Sequence, residues 1–128
     1  MMFRDEADIL GKCLEHWHAL GVRDFYLCDN GSVDGSERTA YLFRHEHKKC
    51  YVHVCYDPAT DWPGRRVIND LKNRSLADGC DWIFPADADE FLQLPDGCDT
   101  VQDWLKLPWK VRRGEWAELK YLNMLPDG

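Results

Sequence analysis

The four-residue run Phe25-Tyr26-Leu27-Cys28 restricts the fold more than any other stretch of the chain. Successive side chains of a strand point to opposite faces, so four apolar residues in a row need cover on both. An amphipathic segment closed by Gly21 precedes the run, and a polar turn that opens a second helical pattern follows it. A short strand buried on both faces and flanked by helices is the building unit of a parallel sheet in an α/β protein.

Neighbouring segments extend the alternation. Residues 1–3 read as the tail of a strand. Residues 5–20 read as a helix, with Ile9, Leu10, Cys13, Leu14, Trp17 and Leu20 at helical spacing and Asp5 or Glu6 at its positive end. Gly21 stands in the usual post-helical position. Asp34 with Glu37 forms a capping pair for a second helix over 36–45. Residues 51–56 alternate as a third strand. A third helix is expected over 65–79, with Val67, Ile68, Leu71 and Leu76 inward and Gly79 closing it. A fourth strand follows over 81–85, then a short helix capped by Asp99 and bearing Val101, Trp104 and Leu105, then a strand over 115–122. Such alternation implies parallel strands with right-handed crossovers, hence an α/β fold with a doubly wound, mostly parallel sheet. The 128 residues suit one domain, 1–128, able to bury about two-thirds of its unfolded surface.

Charge and composition narrow the partners. A net charge of −7, with Lys48-Lys49, Arg65-Arg66 and Arg112-Arg113 as isolated pairs, argues against nucleic acid, which wants a basic face. No stretch approaches the roughly 20 apolar residues of a membrane span. Met1-Met2-Phe3 runs straight into Arg4-Asp5-Glu6, unlike a secretory leader, so a cytoplasmic location is the expectation. Six cysteines without a C-x-x-C pair read as reduced thiols, Cys13 and Cys28 as small buried ones.

Two polar clusters carry the chemistry. In 80–92, Trp82-Ile83-Phe84 delivers Asp87, Asp89 and Glu90 to a strand end. Two carboxylates about 5 Å apart repel by roughly 3 kcal/mol at an effective dielectric near 20, and a hard divalent cation with oxygen ligands is the simplest relief. The plain alternative is a solvated acidic loop, with Glu90 paired to an arginine. An EF-hand is excluded, because Leu92 stands where that loop needs glycine. The second cluster, Asp29-Asn30-Gly31-Ser32-Val33-Asp34, is either a tight turn or a polar strand end able to read the edge of a heterocyclic base. In a parallel sheet both clusters share the carboxyl edge, where open α/β sheets bind ligands. Arg65 and Arg66 could face phosphates there, or be ordinary residues at a helix start. Asn73 reads as a helix residue bonded to the turn after a strand, and His16 and His18 as satisfied or solvated histidines. His45, His47, Cys50, His53 and Cys55 crowd one stretch, but the short knuckle of structural zinc sites is missing. Neither usual glycine-rich phosphate loop occurs, nor a nucleophile elbow.

Four ordered motifs, Arg4-Asp5-Glu6-Ala7-Asp8-Ile9-Leu10, Trp17-His18-Ala19-Leu20-Gly21-Val22, Phe25 through Ser36, and Trp82 through Leu92, strongly resemble the family 2-like glycosyltransferases of GT-A fold. The likeness is to the branch with a DNGSxDGS…DADEF signature, and it runs from residue 3 to about 92. It implies inverting, metal-dependent transfer of a sugar from a nucleotide-sugar donor, a UDP-sugar above all, to the hydroxyl of a glycan or other acceptor. Asp29 and Asn30 match the pair that contacts the base, although many relatives have a second Asp where this chain has Asn30. Arg4, Asp5 and Glu6 match the loop near base and ribose. Asn73 matches an asparagine of the helix before the D-x-D strand. Asp87 and Asp89 match the D-x-D pair, Asp89 being the usual contact of Mn²⁺ or Mg²⁺ and Asp87 assisting. With Arg66 these form the expected nucleotide-sugar and metal set. The resemblance puts the catalytic base beyond Gly128, and Asp96, Asp99, Glu115 and Glu118 match no base motif. The chain is therefore expected to be the donor-binding half of the domain, truncated at both ends. The rivals are a non-catalytic nucleotide-binding or interaction domain of the same fold, a nucleotidyltransferase, and a zinc protein. Arg4–Ile9 lacks the glycine that a nucleotidyltransferase loop should carry.

Overall fold

Three parallel strands, in the order β1 (Met2–Phe3), β2 (Asp24–Asp29), β3 (Tyr51–Tyr56), organise the chain. The computed structural model describes residues 1–59 and 64–107 and the backbone of Tyr121–Asn123. Met2 pairs with Cys28 and Phe3 with Asp29, while β2 and β3 run in register from Asp24–Tyr51 to Asp29–Tyr56. The N–H of Asn30 donates to Phe3 O (2.9 Å) and that of Asp57 to Asp29 O (2.8 Å), so the ladder continues into the loops at the carboxyl edge.

Helices cover both faces, as the unbroken apolar run of β2 requires. Helices α1 (Leu10–Ala19) and α2 (Ser36–Glu46) lie on one face, where Phe3, Phe25, Leu27 and Val52 meet Leu10, Leu14, Trp17, Ala40 and Phe43. Helix α3 (Gly64–Ala77) covers the other, setting Val67 and Leu71 on Met2 and Cys28. Both outward crossovers thus use one face and the return uses the other. Right-handed crossovers from β1 to β2 and from β2 to β3, taken in the same direction, put α1 and α2 on the same face. After the return, Ala86, Ala88 and Leu92 join the main core with Phe3 and α1.

Several local expectations change. Helix α1 begins at Leu10 rather than residue 5, because Asp5 stands at φ 53°, outside the right-handed helical region, and a turn at 7–9 precedes the helix. Gly35 occupies the N-cap of α2, and the Asp34–Glu37 capping pair does not form, since Asp34 binds Ser36 and Ala7. Leu76 is half exposed on α3 instead of inward. Segment 81–85 makes no ladder: Pro85 has no N–H, Trp82 and Ile83 are exposed, and only Phe84 packs inward, between Trp17 (5.8 Å) and Trp104 (6.1 Å). A two-stranded antiparallel sheet of β4 (Glu90–Leu92) and β5 (Tyr121–Asn123) follows instead. Helix α4 (Val101–Leu105) is capped by Thr100, not Asp99, in a reciprocal box with Asp103. Gly21, at φ 93°, lets α4 dock on the end of α1, for a Cβ there would collide with the Gln102 side chain that donates to Gly21 O. The expected loop residues 60–63, the start of the strand at 115–120 and the final turn lie outside the described residues. All six cysteines are free thiols, and no helix among the described residues is long and apolar enough to cross a membrane.

Leu14 is fully buried between α1 and the sheet. Leu14→Ala is expected to destabilise the fold by about 2–5 kcal/mol in urea titrations, whereas Leu76→Ala should stay within about 0.5 kcal/mol.

Candidate functional site at the carboxyl edge

Parallel strands put the residues after Phe3, Asp29 and Tyr56 on one edge, and side chains of one loop build the next. The N–H groups of Asp5, Glu6 and Ala7 donate in turn to Ser32 Oγ (3.1 Å), Ser36 Oγ (2.8 Å) and Asp34 Oδ2 (2.9 Å). Asp5 returns the interaction by accepting from the Val33 N–H at 2.8 Å. It does so at φ 53°, a left-handed conformation that costs an ordinary residue about 1 kcal/mol or more and persists because both of its sides are bonded. Asp34 also accepts from Ser36 N and Oγ, and the Ser36 hydroxyl is the main reason its carboxyl sits below the usual range.

Asp29 and Asn30 are almost wholly buried, at 1% and 2% exposure. Asp29 Oδ1 accepts from Ser32 N (2.8 Å) and Ser32 Oγ (2.7 Å), closing the Asn30-Gly31 turn with Gly31 at φ 78°. The Asn30 amide donates to Asp57 O (2.7 Å) and Ala59 O (3.3 Å). Both groups therefore hold the loops after β2 and β3. Arg66, at the start of α3, is ion-paired with Asp57, whose carboxyl it holds below the usual range.

The acidic segment comes to the same edge through α1. Cys13 Sγ lies 3.8 Å from Asp87 O and 3.6 Å from Glu90 O, with Ala86 and Ala88 buried on the core side. Asp87 is exposed, and Asp89 and Glu90 are half buried. The Glu90 carboxylate accepts the Asp87 N–H at 2.9 Å, so Glu90 closes the turn rather than pairing with an arginine. Half-buried Glu6 stands where the segments meet. Burial pushes its carboxyl up to about 7, the charges of Asp89 and then Asp87 add to this, and the Arg4 N–H opposes it. Glu6, Asp87 and Asp89 thus form one acidic corner, beside the loop that Asp29 and Asn30 support.

Arg4 is exposed on this edge. Asn73 is not brought here. It is exposed on α3, and its neighbour Arg74 donates to the hydroxyl of Tyr51, the first residue of β3, so it lies towards the opposite end of the sheet.

The oxygen-only donors of the corner suit Mg²⁺ or Mn²⁺. Among the described residues Asp87 and Asp89 do not gather with a third group tightly enough for a protein cage, and Mg²⁺ commonly takes one or two carboxylates plus phosphate and water. The tight gathering among the described residues is elsewhere, where Glu15, His18 and His47 bring three ligand atoms within 4.8 Å. Of the crowded histidines and cysteines of 45–55, only His47 takes part. The local signal for this cluster was the i,i+3 spacing of Glu15 and His18, which puts both on one helical face. Compared with family models, curated proteins and solved structures, the chain matches none.

Between about 4.5 and about 7 the folded state holds a proton on Glu6 that the unfolded chain releases, so stability falls as pH rises across that window. Glu6→Gln is expected to remove this slope and to be about 1 kcal/mol more stable than wild type at about pH 8, a figure reduced for the group's solvent-facing half. Urea titrations at about pH 5 and pH 8 check both, and an unchanged slope in the variant would assign it to other groups.

Proposed function

We propose that the chain is the donor-binding half of a GT-A-type glycosyltransferase, taking a nucleoside diphosphate sugar, a UDP-sugar first, with a divalent cation. The observation that carries the reading is the meeting of three loops on one edge of a parallel sheet. Glu6, in the loop after β1, faces Asp89 and Asp87, and the N–H groups of the same loop bind the 32–36 turn that Asp29 anchors. Open α/β sheets bind nucleotides outside the carboxyl ends of their strands, which is where these loops meet.

In this reading Asp89, with Asp87, holds Mn²⁺ or Mg²⁺, which when bound neutralises charge developing on a diphosphate leaving group. Exposed Arg4 and the Arg66 guanidinium supply positive charge on the same edge. Asp29 and Asn30 act by fixing loop shape, which positions backbone groups for a base. No residue of the chain is assigned as the base for the acceptor, and the acceptor is a hydroxyl-bearing glycan or similar molecule.

One observation favours a second reading. Asp29 Oδ1 and the Asn30 amide N–H groups bond within the protein, as they would in a non-catalytic interaction domain that kept the fold.

Calorimetry with UDP separates the two. Binding is expected to need Mn²⁺ and to weaken at least about 10-fold, or about 1.4 kcal/mol, in Asp89→Ala. Equal heats with and without Mn²⁺, in wild type and variant alike, would reject the donor-binding reading.

A further inference from the structure

At the far end of the helix layer, a second cluster has the chemistry of a different metal. Glu15 and His18 share one face of α1, and His47 is the C-cap residue of α2. One oxygen and two imidazole nitrogens from these residues lie within 4.8 Å of one another. We infer that Glu15, His18 and His47 form a Zn²⁺ site that ties the end of α1 to the end of α2.

The donor set selects the ion. Two imidazoles and one carboxylate suit zinc, whereas Mg²⁺ and Ca²⁺ prefer oxygen throughout. Zinc bonds of about 2.0–2.1 Å in tetrahedral geometry separate neighbouring ligand atoms by roughly 3.4 Å, inside the span already present. His47 Nε2 and Glu15 Oε1 are now hydrogen-bonded at 2.7 Å, so metal entry needs a displacement of less than about 1 Å between them.

The imidazoles are also held in place. Their ring centroids stand 4.2 Å apart, and buried Phe43 flanks both, at 4.4 Å from His47 and 6.2 Å from His18. Glu15 is exposed and leaves the fourth position on the solvent side for water. The site is separate from the acidic corner. His18 and His47 lie at the C-terminal ends of helices that start at the carboxyl edge, so they sit by the amino ends of the strands.

Titration calorimetry of the whole chain with Zn²⁺, backed by elemental analysis, tests the assignment. One equivalent should bind and raise the thermal midpoint. His18→Ala, His47→Ala and the exposed Glu15→Gln should each weaken that equivalent by at least about 10-fold. Cys50→Ser and His45→Ala should leave it unchanged. The Co²⁺-substituted protein should show ligand-field bands without thiolate charge transfer. Circular dichroism of each metal-free variant guards against misfolding, and Glu15→Gln decides the matter if either histidine variant fails to fold. Retention of the equivalent in folded Glu15→Gln, or a thiolate band, would overturn the site. A Zn²⁺ result of either kind leaves the Mn²⁺-dependent UDP experiment independent, because it concerns other residues.

Discussion

The fold at the carboxyl edge depends on three consecutive backbone N–H groups, those of Asp5, Glu6 and Ala7, finding acceptors on the side chains of the 32–36 turn. The Glu6 N–H is partly buried, where a donor left without a partner costs about 1–3 kcal/mol, while the Asp5 and Ala7 bonds are exposed and fix the path of the chain by geometry. Together the three bonds pin the 32–36 turn against the 4–7 loop, from which Glu6 faces the acids of 87–89. Ser36 is central because its hydroxyl accepts from Glu6 N–H while donating to Asp34.

Much of the architecture was legible because the apolar pattern has few alternatives. The Phe25–Cys28 run demanded two covered faces, and α1 with α2 on one side and α3 on the other supply them. The segment Trp82-Ile83-Phe84 carries the same local signal, yet Trp82 and Ile83 are exposed and no ladder forms. An apolar triplet states that something should be covered, but not that a neighbouring strand exists, and Pro85 removes one of the donors that pairing would use. The early start expected for α1 failed for a different reason. Asp5 and Glu6 suit the positive end of a helix, but contacts with Ser32 and Val33 hold Asp5 at φ 53°, where a right-handed helix cannot run.

The site residues divide the same way. Residues at or soon after a strand's carboxyl end, such as Glu6, Asp29 and Asn30, fall on one edge by topology alone, since parallel strands share their carboxyl ends. Asn73 lies nine residues into α3 from Gly64, roughly 14 Å along the axis, and helical rise carries it away from that edge. The Glu15–His18–His47 grouping joins two helices through Phe43, and only half of it has a local spacing to read.

The two sides of the sheet are unequally upholstered. Phe3, Leu10, Leu14, Trp17, Phe25, Leu27 and Phe43 are packed beneath α1 and α2, whereas α3 rests mainly on Met2, Cys28, Val67 and Leu71. Cooperative opening begins where least apolar surface must be uncovered, so α3 is the first layer to detach and α1 the last. Arg66 travels with α3 while Arg4 and Glu6 stay with the main core, so one of the two arginines on this edge rides on the looser half of the molecule.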